Sequence, residues 1–299
     1  MCGIAGLFLK DQSLEGDLGG LMAGMLSALG DRGPDSTGFA VYGTESPGSV
    51  KLTLRGPQNF DFRPLVEMLS EAVGEPTLAH RRHDSHVVVS IPATREPAAR
   101  DALRALQQDI SIVGSGRRME LFKEIGRPEQ VTQRFGLAKM RGTHAIGHTR
   151  MATESAVTTD GAHPFTTGAD QCLVHNGSLS NHNAVRRDLV RQGLTFRTDN
   201  DSEVAAGFIT SQLTRGRSLE QAMEASLDAL DGFYTFVIGT EFGLGVLRDP
   251  IACKPAVMAE TRQWVAFGTE YRALVDLPGI ALAKVWEPEP ARTYRWERH

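Results

Sequence analysis

The second residue of the chain is a cysteine, within Met1-Cys2-Gly3. An initiator methionine before a small side chain is usually removed, and Cys2 would then carry both a thiol and a free α-amine. That amine titrates at about pH 8, so part of it is uncharged and can take a proton from the thiol, whose own pKa is about 8.5. The pattern predicts a nucleophile with a built-in base. The alternative is a small apolar residue at the start of a strand.

An Asn-Gly pair, Asn176 and Gly177, follows the apolar run CLVH. Attack on a carbonyl carbon creates an oxyanion that needs preorganised donors, and the Asn176 side-chain amide and the Gly177 N–H could supply them. Such a pair also commonly forms the two-residue turn of a hairpin. The segment that follows, SLSNHNAVRRDL, has the pattern of a helix start and not of a matching strand. The sequence leaves both interpretations open.

Two charged residues complete this set of candidates. Arg150, within GHTRMAT (147–153), could bind a carboxylate with both arms of its guanidinium. Asp201, which begins DSEV, could accept from an ammonium group, although an aspartate there could also be a helix N-cap. A carboxylate and an ammonium group on one molecule describe an α-amino acid. The sequence therefore predicts an amino-acid substrate.

The composition argues against several other classes of function. The chain has 299 residues and a net charge of −4, so a nucleic-acid or membrane-surface partner is not expected. Its apolar runs are strand-sized and no secretory signal is present. Three widely separated cysteines fit a reducing, cytoplasmic compartment. The histidines of HRRHDSH (80–86) lack a zinc-binding spacing and predict a solvated loop, so no metal is expected.

Along the sequence, strand patterns are followed by helical patterns and then by strand patterns again. This order predicts an α+β fold, with antiparallel sheets covered by helices, that positions these residues. In residues 64–141, strand patterns alternate with helical patterns, which predicts an inserted α+β segment with these bounds. A polar tail is predicted at 286–299, unsuited to a core strand. Helical patterns cover Pro64–Val73, Pro97–Gln107, Met119–Ile125, Glu129–Arg134, Asn183–Arg191, Asp201–Leu213 and Leu219–Leu230.

Taken together, the reactive stretches resemble the class II glutamine amidotransferase domain of the N-terminal nucleophile hydrolase superfamily. The resemblance covers about 1–60 and 142–275, and its motifs occur in the family's order, which makes it far more specific than any single motif. It implies an αββα sandwich, in which two antiparallel sheets lie between helical layers. The matching pieces are Cys2-Gly3-Ile4, Arg32-Gly33-Pro34-Asp35-Ser36, GHTRMAT, HPF, HNGSLSN and NDSEV.

The resemblance also implies glutaminase chemistry. The Cys2 thiolate attacks the amide carbon of glutamine, ammonia leaves, and water cleaves the resulting thioester to give glutamate. Asn176 and Gly177 would hold the oxyanion. The remaining roles carried over from the family concern substrate binding: Arg150 for the carboxylate, Thr153 in support of it, Asp201 for the α-ammonium group, and Arg32 to help close the site.

Some members of this family carry a fused synthase domain, which is not seen in this sequence, so ammonia is expected to pass to a separate synthase subunit. AHPF, RDPIACKPAVMAE, FGTEYRAL and VWEPEP resemble the stand-alone amidotransferase subunits of glutamate synthase-like complexes, N-methylglutamate synthase among them. The resemblance implies no cofactor in this chain and FMN in the partner subunit.

Three alternatives stay open on the sequence alone. The chain could be a silent, amino-acid-binding regulatory subunit, or a free hydrolase of other γ-glutamyl amides. Within the amidotransferases, it could instead serve amino-sugar or purine synthesis.

Overall fold

The computed structural model describes residues 2–106, 109–152 and 156–298. Its core is a pair of stacked antiparallel sheets. The larger sheet contains seven strands: β1 (Gly3–Leu9), β2 (Ser36–Tyr42), β7 (Met119–Ile125), β8 (His144–Arg150), β13 (Val257–Glu260), β14 (Trp264–Gly268) and β15 (Lys284–Trp286). Their spatial order is β15-β13-β14-β1-β8-β2-β7, so β1 lies at the centre of the sheet.

The second sheet has five strands and packs face to face on the first. Its strands are β9 (Phe165–Gly168), β10 (Gln171–Leu179), β11 (Gly232–Gly239), β12 (Gly243–Arg248) and β16 (Thr293–Glu297), in the order β16-β12-β11-β10-β9. The apolar residues of β1 alternate between two sides, as a strand covered on both faces requires. Ile4 and Phe8 pack toward the second sheet, whereas Leu7 and Leu9 pack toward the outer helices.

Helices cover both outer faces of the sandwich. On the larger sheet lie α1 (Leu18–Ala28) and α4 (Pro128–Phe135), whose apolar side chains join Leu7 and Leu9 in one core cluster. On the smaller sheet lie α5 (His182–Arg191), α6 (Asp201–Thr214) and α7 (Leu219–Ala229). The layers therefore run helix, sheet, sheet, helix, and the predicted α+β fold is confirmed.

A third sheet forms a separate unit between β2 and β7. It contains β3 (Ser49–Arg55), β4 (His80–His83), β5 (His86–Pro92) and β6 (Ser111–Gly116), in the order β4-β5-β3-β6. The helices α2 (Arg63–Val73) and α3 (Glu96–Ala105) pack on it around a core of its own. This unit runs from Ser49 to Gly116, which differs from the sequence-based bounds of 64–141.

The difference arises at Met119–Ile125, where the sequence pattern predicted a helix and the structure has the strand β7, paired with β2. Both faces of β7 are covered, so apolar residues occur on each face. The sequence therefore lacks the apolar–polar alternation of a strand that is covered on one face only. Met119 and Leu121 face the sandwich interior, whereas Phe122 packs under α4 against Phe135.

The HRRHDSH stretch, predicted as a solvated loop, is instead a hairpin of β4 and β5. Asp84 takes a positive φ of 52° in the turn, and His83 pairs with His86 across it. His86 is fully buried against Phe122 and Phe135, and this burial lowers its pKa to about 3.

Part of the predicted polar tail forms a half-buried strand. Thr293–Glu297 forms β16, an edge strand of the five-stranded sheet, with Tyr294 and Trp296 packed against the inner core. Within the described ranges, no helix has the length and apolar character needed to cross a membrane.

Candidate active site

Cys2 lies immediately before β1, half-buried, at one end of the seven-stranded sheet. Pairing of β1 with β8 starts at Gly3 and Thr149, which fixes the backbone beside Cys2. A Cβ at Gly3 would lie 2.7 Å from the Thr149 hydroxyl, so this contact leaves no room for a side chain. The Cys2 Sγ lies 3.8 Å from the carbonyl oxygen of Met151. The thiol is therefore held at the sheet end without being enclosed in the core.

Arg32, in the turn after α1, contacts Cys2 directly. Its Nε donates to the Cys2 carbonyl oxygen at 3.0 Å, and its Nη1 pairs with the carboxylate of Glu270. Arg272 Nε lies 2.5 Å from the other oxygen of that carboxylate. Partial burial opposes ionisation of Glu270, but the hydrogen bond from Arg32 and the charges of both arginines hold its pKa below the ordinary value.

Glu270 contacts this site but has no role predicted from the sequence. It lies 238 positions from Arg32 and follows β14, which pairs with β1. Only this pairing brings the two side chains together. The one signal in the sequence was the stretch FGTEYRAL, which contains Glu270. This stretch was part of the resemblance to stand-alone amidotransferase subunits, but no role was predicted for its glutamate.

Arg150 is the last residue of β8, at the same sheet end as Cys2. The residue is only 6% exposed and pairs in register with Ser36 of β2. Its carbonyl oxygen accepts from the Asp35 N–H at 3.1 Å, and the Asp35 carboxylate accepts from the Ala152 N–H at 2.8 Å. Asp35, a second residue without a predicted role, therefore holds the chain on both sides of Met151. Thr153 lies outside the described residues.

Asn176 and Gly177 lie inside β10, where they pair with Thr235 and Tyr234 of β11. The hairpin-turn interpretation is therefore wrong. Gly177 has a φ of 154°, and a Cβ there would lie 2.0 Å from the Phe233 carbonyl oxygen. No hydrogen bond to the Asn176 side-chain amide occurs within the described ranges. That amide is thus available to donate to a ligand.

A contact between the two sheets places Asn176 at the same end of the sandwich as Cys2. His148 of β8 pairs in register with Ile4, two residues after Cys2. Its Nε2 lies 3.1 Å from the carbonyl oxygen of His175, the residue before Asn176. The start of β1, the end of β8 and the Asn-Gly segment of β10 therefore meet at one edge.

Asp201, the first residue of α6, is attached to this edge through β10. Its Oδ2 accepts from the Leu179 N–H at 2.9 Å, two residues beyond Gly177. The N-cap of α6 is Asn200, whose side chain accepts from the Ser202 N–H at 2.9 Å, so the N-cap alternative for Asp201 is wrong. The Asp201 side chain is 22% exposed and keeps its other oxygen toward His175, 3.7 Å away.

Comparison with known proteins identifies the family. The glutamine amidotransferase domain family matches residues 148–276. The glutamine amidotransferase-like protein GlxB of Rhizobium meliloti (strain 1021) is 55% identical over 99% of this chain and 98% of its own length. A putative glutamine amidotransferase of Methanothermobacter thermautotrophicus is 32% identical over 98% of this chain and 99% of its own length. The chain belongs to the class II glutamine amidotransferase family.

A solved structure supports the fold of this amidotransferase. The glutamine phosphoribosylpyrophosphate amidotransferase of B. subtilis superposes with a TM-score of 0.63 at 20% sequence identity. The alignment covers 99% of this chain and 47% of the other, so the chain spans about half of that protein. The predicted family and the prediction of an enzyme are confirmed, whereas the roles of individual residues stay predictions.

Three buried histidines form a layer beneath the Asn-Gly segment of the amidotransferase. His163 Nε2 and His175 Nδ1 each lie 2.9 Å from the Ser202 hydroxyl, and the His148 and His163 rings stack at 4.0 Å. Burial lowers the pKa of all three, for His148 to about 3, so the layer is uncharged at neutral pH. It ties β8, β10 and α6 together behind the segment that carries Asn176.

The other two cysteines lie in different surroundings. Cys172 is fully buried, and its Sγ is 3.3 Å from the Tyr42 hydroxyl. Burial raises the pKa of this thiol to about 12, which makes it a poor nucleophile. Cys253 is exposed in a loop after β12. Across residues 2–106, 109–152 and 156–298, no group of three or more His, Cys, Asp or Glu side chains is placed to hold a metal ion.

Proposed function

We propose that this amidotransferase hydrolyses glutamine to glutamate and ammonia through a thioester on Cys2. The observation that carries the proposal is the half-buried thiol at the start of β1, with its own carbonyl fixed by Arg32. Once Met1 is removed, the α-amine of Cys2 takes the thiol proton, and the thiolate attacks the amide carbon of the substrate. The amine returns the proton to the leaving ammonia, and water then cleaves the thioester.

The oxyanion formed in each step needs donors that are already in place. We assign this role to the Asn176 amide and the Gly177 N–H. Two features support the assignment: the Asn176 amide has no hydrogen bond within the described ranges, and Gly177 has a backbone angle that favours glycine. The inter-sheet contact of His148 with His175 supports placing both groups at the Cys2 end.

We propose that the α-carboxylate and α-ammonium groups of glutamine bind to charged residues at the edge where β1, β8 and β10 meet. Arg150 binds the substrate carboxylate with support from Thr153, Asp201 binds the α-ammonium group, and Arg32 helps to close the site. Opposite charges at these two positions fit a zwitterionic end group. The pairing of Arg32 with Glu270 leaves its Nη2 buried with no hydrogen bond to a described residue, which supports a further acceptor there.

We propose further that the ammonia passes to a separate, FMN-containing synthase subunit, in a glutamate synthase-like complex such as N-methylglutamate synthase. No cofactor is assigned to this chain. The two relatives matched over 98% and 99% of their own lengths support a stand-alone glutaminase unit. A cytoplasmic location is proposed because the nucleophilic thiol must stay reduced. The alternative roles are nitrogen supply to amino-sugar or purine synthesis, and free hydrolysis of γ-glutamyl amides.

Purification from the native source through a C-terminal tag tests the partner. Co-elution of a larger chain with the visible absorption bands of a flavin supports the glutamate synthase-like complex. A colourless complex with a sugar- or nucleotide-binding chain would instead indicate nitrogen supply to amino-sugar or purine synthesis. A single, colourless and active chain would indicate free hydrolysis of γ-glutamyl amides. Release of glutamate from glutamine by the purified protein, lost in Cys2→Ala, tests the chemistry separately.

A further inference from the structure

A cleft of about 850 Å³ opens between the inserted sheet and the larger sheet, away from the glutaminase residues. Its walls come from β4, from the loop after β2, and from the segment 133–141, which comprises the last turn of α4 and the residues after it. Of the residues assigned above to glutamine chemistry, none that the structure describes lines it. The volume falls in the range typical of small-molecule sites. The cleft contains the HRR part of the histidine-rich stretch that no metal or glutaminase role explains.

The lining of this cleft is rich in positive charge. Among the described residues that line it, three are carboxylates, Glu45, Asp84 and Glu120, and six are permanent cations. With its histidines neutral, this described lining carries an excess of three positive charges. The whole chain has a net charge of −4, so the excess is local. The six cations are Lys51, Arg81, Arg82, Arg134, Lys139 and Arg141.

The carboxylates are already engaged by cations. Glu120 is shared by Lys51, at 3.1 Å, and by Arg81, at 2.5 Å. Lys51 is 6% exposed and also donates to the Thr44 carbonyl oxygen at 3.1 Å, which uses two of its three N–H bonds. Asp84 pairs with the Nε of Arg134, whose terminal nitrogens stay outside that contact. The acidic groups therefore leave positive charge uncompensated.

Lys139 and Arg141 carry this uncompensated charge. Both line the cleft and are exposed to solvent. Neither has a carboxylate within 4.0 Å in the part of the chain that the structure describes. A concave surface with one sign of charge focuses the field and concentrates counter-ions. A bound anion would reduce the mutual repulsion of these cations.

We propose that this cleft binds a small phosphate-bearing anion. Arginine forks match the oxygens of a phosphate group, and lysines add point charges that suit its high charge density. The acidic net charge of the chain and the limited volume of the cleft favour a small molecule over nucleic acid. This binding site is independent of the glutaminase chemistry proposed above, because the two sets of residues do not overlap.

Calorimetric titration of inorganic pyrophosphate into the purified full-length protein tests the proposal. We expect saturable binding that weakens as salt is raised, and at least a tenfold weaker affinity in the double variant Lys139→Glu/Arg141→Glu. The matched control is Arg187→Glu/Arg217→Glu, which makes the same charge change at exposed positions outside the cleft and should bind pyrophosphate like the unaltered protein. Circular dichroism confirms that both variants are folded.

Absence of saturable binding, or equal weakening in the two double variants, would overturn the proposal. Citrate, which has a similar charge on carboxylates, serves as a second probe, and tighter binding of citrate than of pyrophosphate would overturn the assignment to phosphate. The readout is heat of binding and not turnover of glutamine. Failure here therefore leaves the glutaminase proposal untouched, and loss of the glutaminase proposal leaves this one standing.

Discussion

The Nε of Arg32 donates a hydrogen bond to the carbonyl oxygen of Cys2 at 3.0 Å, while the same guanidinium pairs with Glu270. The arginine thus links the residue proposed as nucleophile to the end of β14. A lysine at this position has one compact charge and cannot reproduce the planar geometry. We expect Arg32→Lys to lower kcat/KM for glutamine by about tenfold to a hundredfold, corresponding to roughly 1.5–3 kcal/mol for a charged hydrogen bond. Arg262→Lys, at an exposed position, is the control and should leave kcat/KM unchanged.

Cys2→Ala removes the proposed nucleophile and should abolish glutaminase activity while glutamine still binds. Cys253→Ala provides the matched control, because Cys253 is an exposed thiol to which no role in glutamine chemistry is assigned. Mass spectrometry during turnover should show a covalent γ-glutamyl adduct in the unaltered protein and none in Cys2→Ala. Full activity in Cys2→Ala would eliminate the thioester mechanism.

The built-in base requires that Cys2 carry a free α-amine. A protein that retains one extra residue before Cys2 should fold normally and lack turnover, because an amide nitrogen cannot accept the thiol proton. Intact-mass measurement identifies the first residue, and a glutaminase assay on the same sample gives the activity. Undiminished turnover with the extra residue in place would show that another group acts as the base.

Arg150→Ala should mainly raise the KM for glutamine, by about tenfold to a hundredfold. A carboxylate clamp distant from the reacting amide stabilises the ground state and the transition state equally, so kcat should change little. Steady-state kinetics separates the two parameters. A loss confined to kcat, with KM unchanged, would contradict the role assigned to Arg150.

Gly177→Ala should destabilise the protein and remove glutaminase activity together. The new Cβ would lie 2.0 Å from the Phe233 carbonyl oxygen, so β10 must shift away from β11 at the proposed oxyanion site. Gly193→Ala is the control, since Gly193 also has a positive φ, of 94°, but open space around it. The control should cost about 1 kcal/mol from backbone strain alone. Thermal unfolding and the glutaminase assay distinguish the two, and equal effects would contradict a steric constraint at Gly177.

The buried histidines predict a loss of stability in mild acid. Burial lowers the pKa of His144 to about 3, well below its unfolded value of about 6.5. The unfolded state therefore binds the proton first, so the stability is complete above about pH 6.5 and is lost as the pH falls toward 3. Each such histidine contributes a slope of about 1.4 kcal/mol per pH unit in that window. His144→Gln should reduce the slope, measured by chemical denaturation between pH 7.5 and 5, and an unchanged slope would contradict this origin.

The sequence by itself identified the family and the candidate residues at the glutaminase edge. It could do so because each candidate stands in a short motif whose chemistry is local: a thiol at the start of a strand, Asn176 beside Gly177, Arg150 within GHTRMAT. It also indicated the helices of the outer layer, since the α5 and α6 regions carry a helical pattern readable over a few turns.

Only the tertiary structure decided which distant residues join these motifs. Glu270 reaches Arg32 through strand pairing across 238 positions, and no local pattern encodes such a register. Met119–Ile125 is a strand through its pairing with β2. Its two faces are covered by α4 and by the second sheet, so apolar residues occur on both and the sequence shows no clear alternation. The cationic cleft likewise exists only because the inserted sheet docks beside the segment 133–141. Long-range strand pairing and burial on two faces depend on the whole chain, so the pattern of neighbouring residues does not predict them.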